Sequence, residues 1–205
     1  MEHRSKAESS NQNVVEQIKR SLRTLGYKAT IEKLNRLSKV QKYWVRENRL
    51  LEKALRRFGE EVGYDLYNLV LDLETSYTAV TSTSRMFDYK KHSPVTYTIG
   101  LDKYNYPEFL VSGDVETGHY YISLIGDYIE KSNTPIDLGE PLYLQEEMIL
   151  FKRVSNRHWN RLGLLQWYNS FKPSEIIQIL YRPFPWETLE REQVLYWTCP
   201  IKYTK

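Results

Sequence analysis

Apolar residues recur at helical spacing through the first third of the chain. Val14, Val15, Ile18, Leu22 and Leu25 fall three and four positions apart, and Gly26 stands where such a helix would stop. Thr30 is the expected cap of a second helix carrying Ile31 and Leu34. A third helix is predicted from about Gln41 to Gly59, with Leu51, Ala54, Leu55 and Phe58 on one face. Val62, Leu66, Leu69, Val70 and Leu73 form the cleanest apolar stripe, and they predict a connecting helix over residues 62–76.

From Tyr77 the pattern changes to Thr, Val and Tyr, which favour strands. Strands are predicted at Tyr77 to Thr83 and Val95 to Leu101, on either side of a polar loop from Arg85 to Pro94. In the second, Val95, Tyr97 and Ile99 point one way, and Thr96 and Thr98 the other. Phe109 to Ser112, Met148 to Val154 and Ile176 to Tyr181 are further strands, and Val194 to Thr198 is a last one. Tyr121, Leu124, Ile125, Tyr128 and Ile129 mark an amphipathic helix, Asn133 to Pro141 a loop, and Leu162 to Tyr168 a short helix. Short strands on tight loops favour antiparallel pairing. The expected fold class is α+β: a mostly antiparallel sheet with flanking helices over residues 77–205. It is preceded by a basic all-helical module over residues 13–61 and a disordered tail over residues 1–12.

Hydrophobic residues are 41% of the 205 and charged residues 27%, enough apolar content for a core. The charge is unevenly spread. Residues 1–61 hold 15 Lys and Arg against 8 Asp and Glu, a net of +7; the remainder holds 14 against 18, a net of −4. Such a split suggests a partner for the basic part. No apolar run has the length of a membrane span and the first residues lack the apolar core of a signal peptide, so no membrane partner and a cytoplasmic location are expected. The one cysteine, Cys199, can form no disulfide within the chain; among Tyr196, Trp197 and Pro200 it is expected to be a buried structural thiol.

The 17 tyrosines suit half-buried surfaces. His3, His92, His119 and His158 form no ligand pair at metal-binding spacing, and no phosphate-binding glycine loop or nucleophile elbow is present; no metal and no cofactor are expected.

Thr30 to Asn48 resembles a helix-turn-helix. Its first helix would end near Leu37 and its turn would be Ser38-Lys39-Val40. Trp44 and Val45 would point inward, with Lys39, Lys42, Arg46 and Arg49 free for phosphates and base edges. Lys39 replaces the usual turn glycine, and the alternative is an ordinary solvated helical hairpin. If the arm contacts DNA, few phosphates are reached, so a homodimer or another partner would have to add contacts; binding is expected to survive in the isolated arm.

Two further stretches, VTYTIGLDKYNYPEFLVSG (95–113) and EIIQILYRPFPWE (175–187), together resemble the bacterial family catalogued as Domain of Unknown Function family 4262. The matching residues are Tyr97, Thr98, Ile99, Gly100 and Leu101; Pro107 and Glu108; Gln178; and Phe184, Pro185, Trp186 and Glu187. The resemblance covers roughly Tyr77 to Glu190 and implies a fold rather than a reaction. Members usually carry an acidic residue and a glycine before Phe-Pro-Trp-Glu, where this chain has only Tyr181-Arg182-Pro183. If the family's activity uses that acid, this chain lacks it.

Gly100 would allow a sharp turn, and Pro107 would start an edge strand without needing a donor. Thr98, Gly100, Glu108, His119, Gln178, Trp186 and Glu187 are the candidate pocket. In the alternative, Trp186 fills the core and the two acids cap backbone amides. Two functions follow: a binding protein whose C-terminal domain recognises a protein or small ligand, or an enzyme using Glu108, Glu187 and His119 as acid or base.

Overall fold

The computed structural model describes residues 2–40, 44–81, 95–132, 136–137, 140–154 and 162–181; of residues 2–10, 38–40 and 44–48 it describes the backbone alone. In chain order the elements are helices α1 (Glu2–Leu25), α2 (Tyr27–Val40), α3 (Trp44–Val62) and α4 (Leu66–Thr75), then strands β1 (Thr78–Thr81) and β2 (Val95–Ile99). A single 3-10 turn (Leu101–Tyr104) leads to β3 (Glu108–Ser112) and helix α5 (Val115–Ser132). Strands β4 (Leu142–Leu144) and β5 (Glu147–Arg153), helix α6 (Gly163–Tyr168) and strand β6 (Ile176–Tyr181) follow. These form two compact units: residues 1–75 with 163–172, and residues 76–162 with 173–205.

In the helical unit, α1 buries Val15, Ile18 and Leu22, and α3 buries Ala54, Leu55 and Phe58, each at three- and four-residue spacing. The helices α1 and α3 run in the same sense, because Glu16 pairs with Arg57 at 3.4 Å while Arg23 pairs with Glu61 further along. Helix α2 turns back along α1: one residue, Gly26, links them, and Lys33 reaches Ser21. Helix α4 buries Leu66, Leu69, Val70 and Leu73. Its start is capped by Asp65, whose carboxylate accepts the Asn68 amide at 3.1 Å.

Helix α1 begins at Glu2, within the span where a disordered tail was expected. Val62 ends α3 rather than opening a connecting helix; Gly63 turns with φ 71°, and α4 belongs wholly to the helical unit. Thr30 does not cap α2. It lies inside the helix, buried, and its hydroxyl donates back to the Gly26 carbonyl at 2.7 Å. Residues 38–40, expected as the turn of a helix-turn-helix, are the last residues of α2.

The second unit is α+β. Its six-stranded sheet has the order β1-β2-β3-β6-β5-β4 and is antiparallel throughout except between β3 and β6. Helix α5 closes a core on one face with Phe109, Val111, Ile177, Ile179, Phe151 and Ile125. Tyr121 of α5 stacks on Tyr181 at 4.2 Å. Gly118 lets α5 approach β2, because a Cβ there would overlap the Thr96 side chain. Thr96 and Thr98 are as buried as Val95, Tyr97 and Ile99, so β2 is covered on both faces, as interior strands are.

Pro107 does not open an edge strand: β3 lies between β2 and β6. The missing donor costs nothing because the ladder with β6 begins one residue later, where the Glu108 amide donates to the Glu175 carbonyl at 3.1 Å. Strand β4, unforeseen, pairs with β5 through a two-residue turn at Gln145 and Glu146, both with positive φ. The predicted loop from Arg85 to Pro94 and the last strand at Val194 to Thr198 lie outside the described residues, as does Cys199. Among the described residues no helix is long and apolar enough to cross a membrane.

Candidate functional site

The β2–β3 ladder pairs Val95 with Ser112, Thr96 with Val111 and Tyr97 with Leu110, and goes no further. Beyond it, side chains take over the strand bonding. The Phe109 amide donates to Thr98 Oγ1 at 2.8 Å, and the Thr98 hydroxyl donates to Glu108 Oε2 at 2.7 Å. Glu108 Oε1 accepts the amide of Gly100 at 2.8 Å. Gly100 has φ 99°, so the expected sharp turn is present and a side chain there would be strained.

Glu108 is 1% exposed. Burial pushes its carboxyl up to about 6, with Asp102 adding to the rise, while the bonds from Thr98, Gly100 and Leu101 hold it from going higher. The arrangement is a carboxylate sealed inside the sheet, fastening the end of β2 to the start of β3. Of the two readings of this acid, it matches the capping of a backbone amide.

The other candidates are dispersed. Gln178 is fully buried on β6, opposite Leu110, and its Nε2 donates to Ser112 Oγ at 3.2 Å. Ser112 is four residues beyond Glu108, about 13 Å along an extended strand, so Gln178 and Glu108 hold separate partners. His119 is exposed in α5, with Nε2 3.3 Å from Thr81 Oγ1, which in turn lies 2.9 Å from Thr96 Oγ1. Thr98, Gly100 and Glu108 therefore form one cluster, Gln178 belongs to another with Ser112, and His119 to a third. Trp186 and Glu187 lie outside the described residues. Among those described, no group of three or more His, Cys, Asp or Glu side chains is placed to hold a metal ion.

In the helical unit, Lys42 lies outside the described residues, and the side chains of Lys39 and Arg46 are likewise not described. Arg49 is exposed on α3, and so is Lys53 one turn on; neither makes an ion pair among the described residues. Most neighbouring cations are already engaged. Lys19 pairs with Glu16 and Glu61, Arg23 with Glu61, Arg57 with Glu16, and Arg56 with Glu52. These pairs hold the carboxyls of Glu16 and Glu61 below the usual range, chiefly through the Lys19 hydrogen bonds. A pocket of about 340 Å3 opens at the α3–α4 turn over Arg56, Glu60, Gly63, Tyr64 and Asp65. Its polar groups are partly used internally: Arg56 lies over the Tyr67 ring at 4.2 Å, and Asp65 caps α4.

Sequence reasoning missed Ser112, the partner of Gln178. Its signal was present, since it shares the two-residue period of Glu108 and Leu110 along β3. It also missed the role of residues 163–172, for which no local signal exists. Comparison with the descriptions of known protein families, with curated proteins and with solved structures finds no match.

Proposed function

We propose that this chain is a non-enzymatic binding protein. Its α+β unit recognises a protein or a small ligand, and its helical unit makes a second contact. The observation that supports this is the state of Glu108: both carboxylate oxygens are taken by Thr98 and Gly100, and the group is closed to solvent. An acid that bonds strands is not free to meet a substrate. The likeness to Domain of Unknown Function family 4262 over residues 77–190 belongs to the same proposal, and Thr98, Gly100 and Glu108 are the part of its pattern that the sheet gathers. The test is native mass spectrometry of the protein purified from its own host. A retained ligand or partner of constant mass supports the reading; turnover of a co-purifying compound that stops in Glu108→Gln overturns it.

Nucleic acid is the proposed partner of the helical unit. Arg49 and Lys53 favour it, as two exposed cations one turn apart on α3 without ion pairs among the described residues. The competing enzymatic reading draws on the same Glu108, whose carboxyl, pushed up to about 6, suits proton transfer near neutral pH. It needs a substrate to reach a side chain that is 1% exposed.

A further inference from the structure

The helices α1 and α2 are separated by Gly26 alone, which leaves two helix ends facing each other with no residue of their own to satisfy them. The last four carbonyls of a helix and the first four amides of the next lack helical partners. Gly26 sits at the N-cap position of α2 and has no side chain to offer. One group at each end is met from far along the chain. Trp167 Nε1 donates to the carbonyl of Leu22, in the last turn of α1, at 3.0 Å. Ser170 Oγ accepts the amide of Ala29, in the first turn of α2, at 2.6 Å.

The contacts extend around those two bonds. Lys28 Nζ donates to Asn169 Oδ1 at 2.8 Å and lies over the Tyr168 ring. Tyr27 stacks on Tyr168 and tilts against Trp167, and Phe58 of α3 faces Trp167 at 6.4 Å. Gly26 admits no Cβ: it has φ 74°, and the added atom would overlap the Trp167 carbonyl oxygen.

The segment is itself built for this. Helix α6 closes with the Ser170 amide on Trp167 O and the Phe171 amide on Gln166 O, the pattern that places a left-handed residue just past a helix. Glycine is the usual residue there; here Ser170 holds φ 55° and Phe171 φ 60°. A glycine would relieve the backbone and lose the acceptor that Ala29 needs.

We propose that Gly163–Lys172, a part of the helical unit that lies in the chain between β5 and β6, is a strap that holds the α1–α2 hairpin closed, so that the helical unit keeps its form only while the strap is docked. One lead of the strap is only three residues long, Pro173 to Glu175, and Glu175 is fixed at the head of the sheet by the Glu108 amide and by Arg153 at 2.9 Å.

The test is amide hydrogen exchange on the full chain carrying Ser170→Gly, which deletes the acceptor while easing the backbone, and separately Trp167→Phe, which deletes the donor while keeping a ring. Each removes about one hydrogen bond at a helix end, so protection at Ala29 and Thr30 should fall by about tenfold. Protection at Leu110 and Ile179 in the sheet should stay within about twofold, since distant sites act independently. Unchanged exchange at Ala29 and Thr30 in both variants would overturn the strap. So would an equal fall at Leu110 and Ile179, which would mean general loosening rather than release of one segment.

Discussion

The Thr98 hydroxyl donates to Glu108 at 2.7 Å while its oxygen accepts the Phe109 amide at 2.8 Å, so one side chain joins a buried acid to the strand that carries it. This fixes how the fold responds to pH. The unfolded chain ionises Glu108 near the ordinary 4.5 and the folded chain near 6. Between those values the folded state holds the extra proton. The contribution to stability is therefore full below pH 4.5 and is lost as pH rises through 6. The displacement is worth about 2 kcal/mol. Glu16 and Glu61 act in the opposite direction, so the comparison must be made against a variant. In urea denaturation between pH 4 and 7, the wild type should lose about 2 kcal/mol relative to Glu108→Gln. Parallel pH profiles for the two proteins would refute the buried, proton-retaining acid.

Leu69 is 4% exposed on the buried face of α4. Replacing it with aspartate deletes its packing and buries a charge with no partner. Leu69→Asp should cost more than about 4 kcal/mol and lower the thermal midpoint sharply. A midpoint within a few degrees of wild type would show that α4 is not packed.

Gly118 brings α5 against Thr96, a buried β-branched residue with little freedom to turn away. Gly118→Ala should therefore destabilise the α+β unit by about 1–3 kcal/mol, although alanine favours helices. Thermal denaturation of Gly118→Ala with Thr96→Ala, which removes the overlapping hydroxyl oxygen, should recover part of the loss. If the alanine variant is the more stable one, helix propensity outweighs the close approach.

If the helical unit meets nucleic acid through Arg49 and Lys53, each phosphate contact contributes about −0.9 to the slope of log affinity against log salt, so the two contribute about −1.8. The double variant Arg49→Glu, Lys53→Glu should flatten the slope by that amount and leave the thermal midpoint unchanged. The measurement belongs on the whole chain, because an arm cut at residue 75 lacks Trp167 and Ser170. Duplex DNA binding with an unaltered slope would remove these two residues from the interface.

The helices were legible because their signal is local. The three- and four-residue spacing of Val15, Ile18 and Leu22, or of Leu66, Leu69 and Leu73, survives any tertiary arrangement that buries one side. The strands around Val95, Phe109 and Ile176 were legible for the same reason, and so was the turn at Gly100. Strand β4 was not, because Gln145 and Glu146 carry none of the Asn or Gly signal that positive φ normally leaves.

By itself the sequence determined two parts of opposite charge, the helices, most strands, and an acid beside a threonine-rich strand. The tertiary structure decided three further things. It placed β3 inside the sheet rather than at its edge, which buried Glu108 and set its ionisation. It separated Glu108, Gln178 and His119 among different partners. It brought Trp167 and Ser170 to Leu22 and Ala29, at sequence separations of 145 and 141 residues. The reason is common to all three: spacing along the chain records which faces must be buried, but not which distant group will satisfy a buried carboxylate or a bare helix end.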